Sequence, residues 1–446
     1  MPVTKVEDDW KNLEVVLSST LSSLQSHLNE DSQLAAFTDT GIKEPVVFGW
    51  AAAGHDQGVL CSVGDGQTAV RTGAVKDASF VLSALPEQWA EFYSATPKPP
   101  FQSYWGMFGQ NIHQDGVEVR GNKDLFLNLA PVWRRVLELS RTAFCGPIQE
   151  EKHVATPERD LISGGYLWAD LPCWGRTKLF YEQSGDKSKQ PIVFLHTAGS
   201  DGRQYHGVMN HQDMLDRCHM TVFDMPGHGR SFPGEKQVPG QHSNNEDAYI
   251  AVIAAVVKSL GLVSPIICGA SMAGHISLAV ALRADEAGAG AVIPCQACEF
   301  TDMERNYWSR SLFVNQSIFT PEYIYGMMSP FSPLKDRNLV WHTYSAQAFS
   351  MYHGDLDFYF GGWDGRGRVE KIDTKRCPVY MLTGDYDWST TPAMSEATAR
   401  KIPGAKFRSM EGLGHFPATE NPQRFTRYLV EAVDSVCDSM RASRKK

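Results

Sequence analysis

The sequence predicts an α/β protein in which a smaller α+β domain precedes a large domain with a mostly parallel sheet. From about residue 160 onward, strand-like runs alternate with helix-forming runs, which is typical of a parallel sheet with helices on both faces. Some runs, such as 191–196 and 291–294, are apolar almost throughout, as expected for strands buried on both faces. Upstream of residue 146, shorter strand-like runs separated by Gly- and Asp-containing turns indicate a separate module.

Composition limits the possible classes of function. The chain has 446 residues, enough for two or three domains, and 42% of them are hydrophobic. Its formal net charge of −9 argues against binding nucleic acid through a broad basic face. No run approaches the roughly 18 apolar residues of a membrane span, and residues 1–10 lack the apolar stretch of a secretory signal. We therefore expect a cytoplasmic protein with no nucleic-acid partner and no membrane span.

Cysteine usage indicates reduced thiols. The nine cysteines are an odd number, and Cys268 and Cys377 lie inside apolar runs. Cys295 and Cys298 have the spacing C-x-x-C, but no second pair with zinc-like spacing follows, so we interpret them as structural thiols. We predict no metal ion and no other cofactor.

Residues 1–35 are predicted to form an N-terminal helix. Between about residues 5 and 30, apolar side chains recur at steps of three and four along one helical face: Trp10, Leu13, Leu17, Leu21, Leu24 and Leu28. We expect this stripe to pack on its own domain, or alternatively to pair two subunits of a homodimer.

Residues 36–145 are predicted to form the small α+β domain. A meander of three strand-like runs is followed by the run 77–84, a helix with Trp89, the run 117–122 ending in Gly-Asn, and a closing helix. This order resembles the sterol-carrier-protein-2-like domain, whose sheet and helices enclose an apolar tunnel for lipid-like ligands. The resemblance implies that the aromatic stretch 101–108 lines a tunnel, although the same side chains would also serve as plain core. The domain would then capture an apolar ligand, or act as a packing or dimerising module.

The predicted catalytic domain spans residues 160–446 and is organised around Ser271. The β-branched run 265–268 leads into Gly269-Ala270-Ser271-Met272-Ala273, and a helix-forming run follows. Strand, tight turn and helix form the context of a nucleophile elbow, with the serine at the tip. Small neighbours are needed because strand and helix approach closely there. The usual pattern is G-x-S-x-G, and the alanine at its last position is a mild departure.

The chemistry of a serine nucleophile requires two partners. A serine hydroxyl is a poor nucleophile until an imidazole removes its proton, and a carboxylate must fix the tautomer of that imidazole. His415 is the best placed of fourteen histidines, since it follows the last strand-like run in a Gly-rich loop, 412–417, that can reach the elbow. Asp385 and Asp387 both follow the preceding strand-like run.

Five motifs in chain order resemble the α/β-hydrolase superfamily over roughly residues 160–440. They are His196-Thr197-Ala198-Gly199, Asp224 through Ser231, the elbow, Gly384 through Asp387, and Gly414-His415. The resemblance implies a catalytic triad of Ser271, Asp387 and His415. Asp385 is the alternative acid, and Glu299 is a more remote one. The other histidines near these motifs are interpreted as scaffold: His196, His228 and His275.

An oxyanion formed by serine attack needs backbone N–H donors. Met272 directly follows the nucleophile at a helix N-terminus and is expected to supply one. The second is expected from the loop after His196, at Ala198. The family often has His-Gly where this chain has His196-Thr197, a departure that bears on this second donor.

The stretch from about residue 299 to residue 375 interrupts the alternation of strands and helices, and we predict that it forms a helical cap. The stretch is dense in aromatic side chains. This composition predicts a largely apolar pocket over Ser271, lined by a minority of those side chains while the rest hold the cap to the sheet.

The leading functional prediction is a serine hydrolase that cleaves an ester, lactone or thioester of a bulky apolar or aromatic small molecule through an acyl-enzyme. Cleavage of a C–C bond by the same triad is a close variant. The alternative is a non-hydrolytic enzyme on the same scaffold, namely a lyase, decarboxylase or acyltransferase, because fold does not fix reaction. A binding protein with a vestigial triad is a third possibility. Epoxide hydrolases and dehalogenases are disfavoured because they place Asp where Ser271 stands.

Overall fold

The computed structural model describes residues 10–38, 42–108, 114–154, 158–301 and 307–444. The chain divides into two compact units. The first comprises Met1–Glu150 and Ser311–Pro330, and the second comprises Glu151–Arg310 and Phe331–Lys446. The stretch Ser311–Pro330 lies within the predicted cap of 299–375 but groups with the first unit. The domain boundaries drawn from the sequence stay predictions.

The described residues form the following regular elements. The helices are α1 Leu13–Ser18, α2 Leu21–Glu30, α3 Ser32–Thr38, α4 Pro86–Phe92, α5 Tyr104–Met107, α6 Lys123–Asn128, α7 Ala130–Cys145, α8 His206–Met209, α9 Gln212–Leu215, α10 Glu246–Ser259, α11 Met272–Leu282, α12 Ala284–Ala287, α13 Gln316–Tyr325, α14 Leu334–Ser345, α15 Met351–Asp357, α16 Pro392–Lys401, α17 Pro417–Glu420 and α18 Pro422–Arg444. The strands are β1 Val46–Ala52, β2 Gln57–Gly64, β3 Gln67–Ala74, β4 Phe80–Ala84, β5 Glu118–Gly121, β6 Ser163–Leu171, β7 Gly175–Ser184, β8 Gln190–Leu195, β9 Cys218–Phe223, β10 Ile266–Ala270, β11 Ala291–Cys295, β12 Tyr380–Gly384 and β13 Lys406–Met410.

The first unit is built on a five-stranded sheet with the order β3-β2-β1-β4-β5. Only β1 and β4 run parallel; the other neighbours in this sheet are antiparallel. Phe48 and Phe80 are partners across the parallel pair, and their rings stack with centroids 5.4 Å apart. The prediction of a separate, strand-rich N-terminal module is therefore confirmed at this level.

The predicted N-terminal helix is interrupted. In place of one helix over about residues 5–30, α1 ends at Ser18 and α2 starts at Leu21, while residues 1–9 lie outside the described part. The hydroxyls of Ser18 and Thr20 donate to the carbonyl oxygens of Val15 and Leu17. Such bonds give the backbone an alternative to helical pairing, so a run of three hydroxyl residues ends the helix.

The core of the first unit is aromatic. Trp105 is buried and lies 4.8 Å from Trp133 and 5.9 Å from Phe319, measured between ring centroids. Beside this cluster, the guanidinium of Arg134 on α7 pairs with the carboxylate of Glu322 on α13, and both side chains are buried. The segment 311–330 therefore completes the core of the unit to which it belongs.

The second unit is built on an eight-stranded sheet with the order β13-β12-β11-β10-β8-β9-β7-β6. Strands β8 to β13 are parallel to their neighbours in this group, and β6 and β7 join antiparallel at one edge. The predicted mostly parallel sheet is therefore confirmed. Successive side chains of β8 alternate between faces: Val193 belongs to the core beneath α10 and α11, and Ile192 to the core beneath α18.

The topology brings the ends of distant strands together. Because β8, β10, β11, β12 and β13 are parallel neighbours, the residues that follow them lie along one edge of the sheet. The loops after β8, β10, β12 and β13 carry the residues predicted to be functional.

None of the described helices has the length and apolar character that crossing a bilayer requires. All nine cysteines lie in the described part of the chain, and each is a free thiol. Seven of them are buried, including Cys268, Cys295 and Cys298.

Candidate active site

Ser271 lies in the turn between β10 and α11, with φ of +61° and ψ of −126°. A positive φ is uncommon for a residue with a side chain and indicates local strain. Backbone hydrogen bonds hold the turn on both sides: the N–H of Ser271 donates to the oxygen of Cys295 at 3.1 Å, and the N–H of His275 donates to the oxygen of Ser271 at 3.0 Å. Strand, turn and helix therefore meet at Ser271 in the predicted order.

The small residues around Ser271 are required by close contacts. A Cβ at Gly269 would lie 2.5 Å from the Cβ of Ala273, and a Cβ at Gly274 would lie 2.1 Å from the oxygen of Cys295. The methyl group of Ala273 thus occupies space that Gly269 leaves open. This contact explains why alanine is tolerated at the last position of the motif.

His415 follows β13 and is paired with Asp387. Its Nδ1 donates to Oδ2 of Asp387 at 2.8 Å, and both side chains are buried. The other oxygen, Oδ1, accepts the N–H groups of Ser389 at 2.8 Å and Thr390 at 3.1 Å. Because the carboxylate only accepts, the proton of the neutral imidazole lies on Nδ1 and Nε2 carries a lone pair.

The two alternative acids lie elsewhere. Oδ1 of Asp385 accepts the N–H of Gly412 at 2.8 Å, and burial raises the pKa of this carboxyl. Oε1 of Glu299 lies 2.5 Å from Nζ of Lys401 in a partly exposed pair. Among the described residues, only the carboxylate of Asp387 is hydrogen-bonded to His415.

Two reactive atoms at this edge are unpaired. Within the described part of the chain, neither Oγ of Ser271 nor Nε2 of His415 has a hydrogen-bond partner, and no hydrogen bond joins the two. Burial, reinforced by an electrostatic interaction with the His415 imidazole, lowers the pKa of His275 to about 3, so His275 remains neutral. His275 lies one turn after Ser271 on α11. Catalytic hydrogen bonds are often loose before substrate binds.

Between Thr197 and Ser200, the loop after β8 has one backbone N–H without an acceptor. Ala198 N–H has no acceptor among the described residues. The other three N–H groups of this stretch each have one: Thr197 donates to Oε1 of Gln204 at 2.9 Å, Gly199 to Oδ2 of Asp355 at 2.9 Å, and Ser200 to the oxygen of Thr197 at 3.2 Å.

Met272 offers a second free donor. It is the first residue of α11, where helical N–H groups have no partner within the helix, and no described residue accepts its N–H. Leu195 of β8 and Gly269 of β10 are paired across the sheet. Ala198 and Met272 therefore both lie three residues beyond a paired position, on neighbouring strands.

The profile of the Alpha/beta hydrolase family matches residues 192–427, more than half of the chain. This chain belongs to the α/β hydrolase family. No curated protein matches the chain.

Solved structures with the α/β hydrolase fold resemble this chain at low sequence identity. A thermophilic esterase from Thermogutta terrifontis is 20% identical, with a TM-score of 0.51 over 61% of this chain and 99% of the esterase. The enol-lactonase from Burkholderia xenovorans LB400 is 17% identical, with a TM-score of 0.50 over 59% of this chain and 98% of the lactonase. At this identity the similarity is one of fold.

Two polar residues of the α/β hydrolase domain support the His415 loop and were not found from the sequence. Oε1 of Glu420 accepts the N–H of Gly414 at 2.7 Å and that of Phe416 at 3.2 Å. Gln296 follows β11 with a positive φ, and its amide nitrogen donates to the oxygen of Gly414 at 3.4 Å. A polar residue directly after a buried strand was the one sequence signal for Gln296.

Aromatic side chains from the segment between β11 and β12 reach both sides of the site. Tyr359 stacks on His275 with centroids 4.6 Å apart and an angle of 12° between the rings. Tyr344 meets Phe416, the neighbour of His415, edge-on at 5.5 Å. The surroundings of Ser271 and His415 are therefore partly aromatic.

The histidines predicted to be scaffold are all buried. Nε2 of His196 accepts the N–H of Met225 at 3.0 Å, and burial together with the charge of His228 lowers the pKa of His196. Burial opposes the charge on His228, but the carboxylate of Asp355 outweighs that effect and raises its pKa.

Within the described residues, one trio has the composition of a metal site: His228, His242 and Asp355, whose ligand atoms lie within 4.8 Å of one another. Nε2 of His228 is 2.9 Å from Oδ2 of Asp355, and Nε2 of His242 is 2.8 Å from Oδ1. Both imidazoles thus bond directly to the carboxylate of Asp355.

Proposed function

We propose that this chain is a serine hydrolase that cleaves an ester, lactone or thioester of a bulky apolar or aromatic small molecule through an acyl-enzyme. Ser271 is the nucleophile, His415 the general base, and Asp387 the group that orients the imidazole. The N–H groups of Met272 and Ala198 stabilise the oxyanion. The observation that carries the proposal is the 2.8 Å bond between His415 and Asp387, at the sheet edge where Ser271 occupies a strained turn.

The reaction follows from these positions. Nε2 of His415 takes the proton of the Ser271 hydroxyl while Oγ bonds to the carbonyl carbon, and the carbonyl oxygen becomes negative. When this intermediate collapses, the alcohol or thiol departs with the proton from His415, and the acyl group stays on Ser271. Water then attacks the acyl-enzyme with the same base, which releases a carboxylic acid and restores the hydroxyl.

The proposed substrate class rests on the aromatic surroundings. Tyr359 contacts His275, one turn after Ser271, and Tyr344 contacts Phe416, the neighbour of His415. This aromatic composition favours an apolar or aromatic acyl or leaving group. The same fold carries an esterase and an enol-lactonase in other organisms. Since a fold hosts many reactions, the site and not the similarity supports ester chemistry. A C–C bond next to a carbonyl is a related substrate for the same triad.

A fluorophosphonate probe tests the nucleophile. We expect labelling of the unchanged protein and of Ser277→Ala, a buried serine further along α11 whose hydroxyl donates to Ala273, and no labelling of Ser271→Ala. p-Nitrophenyl esters with acyl chains of increasing size then test hydrolysis and acyl preference. Labelling without ester turnover would replace the hydrolase by the lyase, decarboxylase or acyltransferase alternative. Absence of labelling would favour a binding protein.

The N-terminal module carries separate proposals. We propose that residues 36–145 have the sterol-carrier-protein-2-like fold, that the protein is cytoplasmic, and that a homodimer is its possible assembly. The close packing of Trp105 and Trp133 supports a packing role for the aromatic stretch as well as it supports a tunnel lining. Native mass spectrometry, which detects both co-purified lipid and subunit number, and uptake of an apolar dye distinguish ligand capture from packing.

A further inference from the structure

Asp355 connects the segment between β11 and β12 to the loop after β8, which carries Ala198. It lies on α15 and is fully buried. Its Oδ2 accepts the N–H of Gly199 at 2.9 Å, next to the free N–H of Ala198. The same helix also constrains the loop by contact, because a Cβ at Gly199 would lie 2.6 Å from the Cβ of Tyr352. Gly199 has a φ of +61°, a conformation that glycine adopts easily.

The carboxylate of Asp355 is saturated with donors. Oδ2 also accepts from Nε2 of His228 at 2.9 Å, and Oδ1 accepts from Nε2 of His242 at 2.8 Å and from the amide of Asn244 at 3.5 Å. Although burial acts in the opposite direction, the two imidazoles lower the pKa of Asp355 well below its usual range. Four donors converge on an ionised group with no exposed surface, which holds it in one orientation.

The contacts of His228, His242 and Asp355 fit a hydrogen-bonded cluster better than they fit a metal site. A metal ion would need lone pairs on both Nε2 atoms, but Nδ1 of His242 lies 3.1 Å from the donor amide of Gln237, which places the proton of His242 on Nε2. Nδ1 of His228 is 3.2 Å from the carbonyl oxygen of Pro226, so His228 donates from both nitrogens. The imidazoles therefore present protons to Asp355.

We propose that Asp355, clamped between His228 and His242, is a positioning residue that fixes the Gly199 peptide and so aims the Ala198 N–H at the oxyanion. The inference rests on the proposed function and extends it to the segment between β11 and β12. Thr197 N–H is held by Gln204 on one side and Gly199 N–H by Asp355 on the other, so the orientation of the intervening peptide is set from both ends. Loss of either hydrogen bond would allow the loop to rotate the Ala198 N–H away from the site.

Asp355→Asn removes the charge while keeping the shape. Each carboxylate oxygen already accepts two donors. The NH2 group of the asparagine would therefore replace an acceptor and point at groups that are themselves donors. Asp355→Ala removes both acceptors and is expected to have the larger effect. His242→Gln keeps the charge of Asp355 and removes one imidazole, and it remains informative if the Asp355 variants do not fold. Asp357→Asn, two residues along the same helix and bonded to neither the loop nor the two imidazoles, is the matched control.

Each variant is assayed with a p-nitrophenyl ester, with a trifluoromethyl ketone that forms a tetrahedral oxyanion on serine, and with an ether analogue of the ester, which has no carbonyl oxygen. For Asp355→Asn we expect kcat to fall about 10- to 100-fold and the inhibition constant of the ketone to rise by a similar factor. KM and the inhibition constant of the ether should stay within about twofold, because neither depends on a tetrahedral oxyanion. His242→Gln should show the same pattern at about 3- to 10-fold, and Asp357→Asn should match the unchanged protein.

Equal losses for ketone and ether would overturn the inference, since they would indicate general damage. An unchanged kcat in folded Asp355→Asn or His242→Gln, or stoichiometric zinc in the purified protein, would also overturn it. Fluorophosphonate labelling of Ser271 in the unchanged protein separates these results from failure of the proposed function: without that labelling the hydrolase proposal fails first.

Discussion

Nδ1 of His415 donates to Oδ2 of Asp387 at 2.8 Å, although Asp385 lies only two residues earlier at the end of the same strand. Asp385 instead accepts the N–H of Gly412. The structure thus gives the two carboxylates different partners.

This difference predicts unequal effects of removing the two charges. Asp387→Asn should lower kcat for an activated ester by about 10³- to 10⁴-fold, because the amide no longer fixes the tautomer of His415. Asp385→Asn, the matched control, should lower kcat by less than about tenfold. Steady-state kinetics with circular dichroism to verify folding would decide the matter, and the reverse order of effects would identify Asp385 as the acid.

The close contact between Gly269 and Ala273 predicts that glycine and alanine can be swapped between these two positions. Gly269→Ala forces two Cβ atoms to 2.5 Å and should lower the free energy of unfolding by about 1–3 kcal/mol. Adding Ala273→Gly removes the clashing methyl group, so the double variant should recover at least half of that loss. Urea unfolding of both single variants and the double variant measures this coupling. Strictly additive losses would show that the contact does not limit the turn.

Glu420 is expected to matter through the two N–H groups that flank His415. Glu420→Ala leaves the N–H groups of Gly414 and Phe416 buried without this acceptor, which should cost about 2–4 kcal/mol of stability and reduce kcat. Glu420→Gln keeps an amide oxygen and should retain most of both. Thermal unfolding and ester kinetics compare the two variants. If alanine and glutamine behave alike, the acceptor role is wrong.

A partly exposed ion-pair cluster around the carboxylate of Glu182, on the antiparallel strand β7, predicts a pH-dependent stability. Glu182 lies 2.7 Å from Nη1 of Arg230 and 2.7 Å from Nε2 of His206. Burial raises its pKa, but His206 and Arg230 outweigh this and lower it to about 2 from a usual value of 4.5. Because the folded-state pKa is the lower one, the stabilisation is complete above about pH 4.5 and disappears as the pH falls toward 2.

Glu182→Gln should therefore reduce the free energy of unfolding by about 1–3 kcal/mol at pH 7, and the deficit should shrink below pH 4.5. Urea titrations between pH 7 and pH 3.5 measure the difference from the unchanged protein. Glu235→Gln, at an exposed position, should differ little at any pH. A deficit for Glu182→Gln that stays constant down to pH 3.5 would contradict this account.

The parallel sheet was predictable because its strands carry a local signal. The apolar run 191–196 corresponds to β8, and 291–294 to β11. Ser271 and His415 were also visible locally, since small residues surround one and glycines surround the other. Periodicity and turn chemistry are properties of short stretches, so sequence alone reveals them.

Several features that sequence reasoning did not find depend on contacts between residues far apart in the sequence. Asp355 bonds to Gly199, 156 positions away, and nothing in the run Met351–Asp357 distinguishes this aspartate from Asp357. The grouping of Ser311–Pro330 with the first unit was missed because the aromatic pattern of that stretch is compatible with a cap and with a core equally well. The break between α1 and α2 is caused by hydroxyl groups that compete for backbone carbonyls. The apolar stripe from which the helix was predicted contains no information about this competition.

The pairing of Arg134 with Glu322 bears on how the polypeptide matures as it leaves the ribosome. When residue 150 emerges, Nη1 of Arg134 can already pair with Glu138 on the same helix, but Nε of Arg134 and one side of the Trp105 ring still lack their partners. These partners are encoded 188 positions later for Arg134 and 214 for Trp105. The first unit can therefore reach its final packing only after most of the second has been translated. A fragment that stops at residue 150 should consequently be prone to aggregation, and supplying Ser311–Pro330 as a separate peptide should restore its solubility.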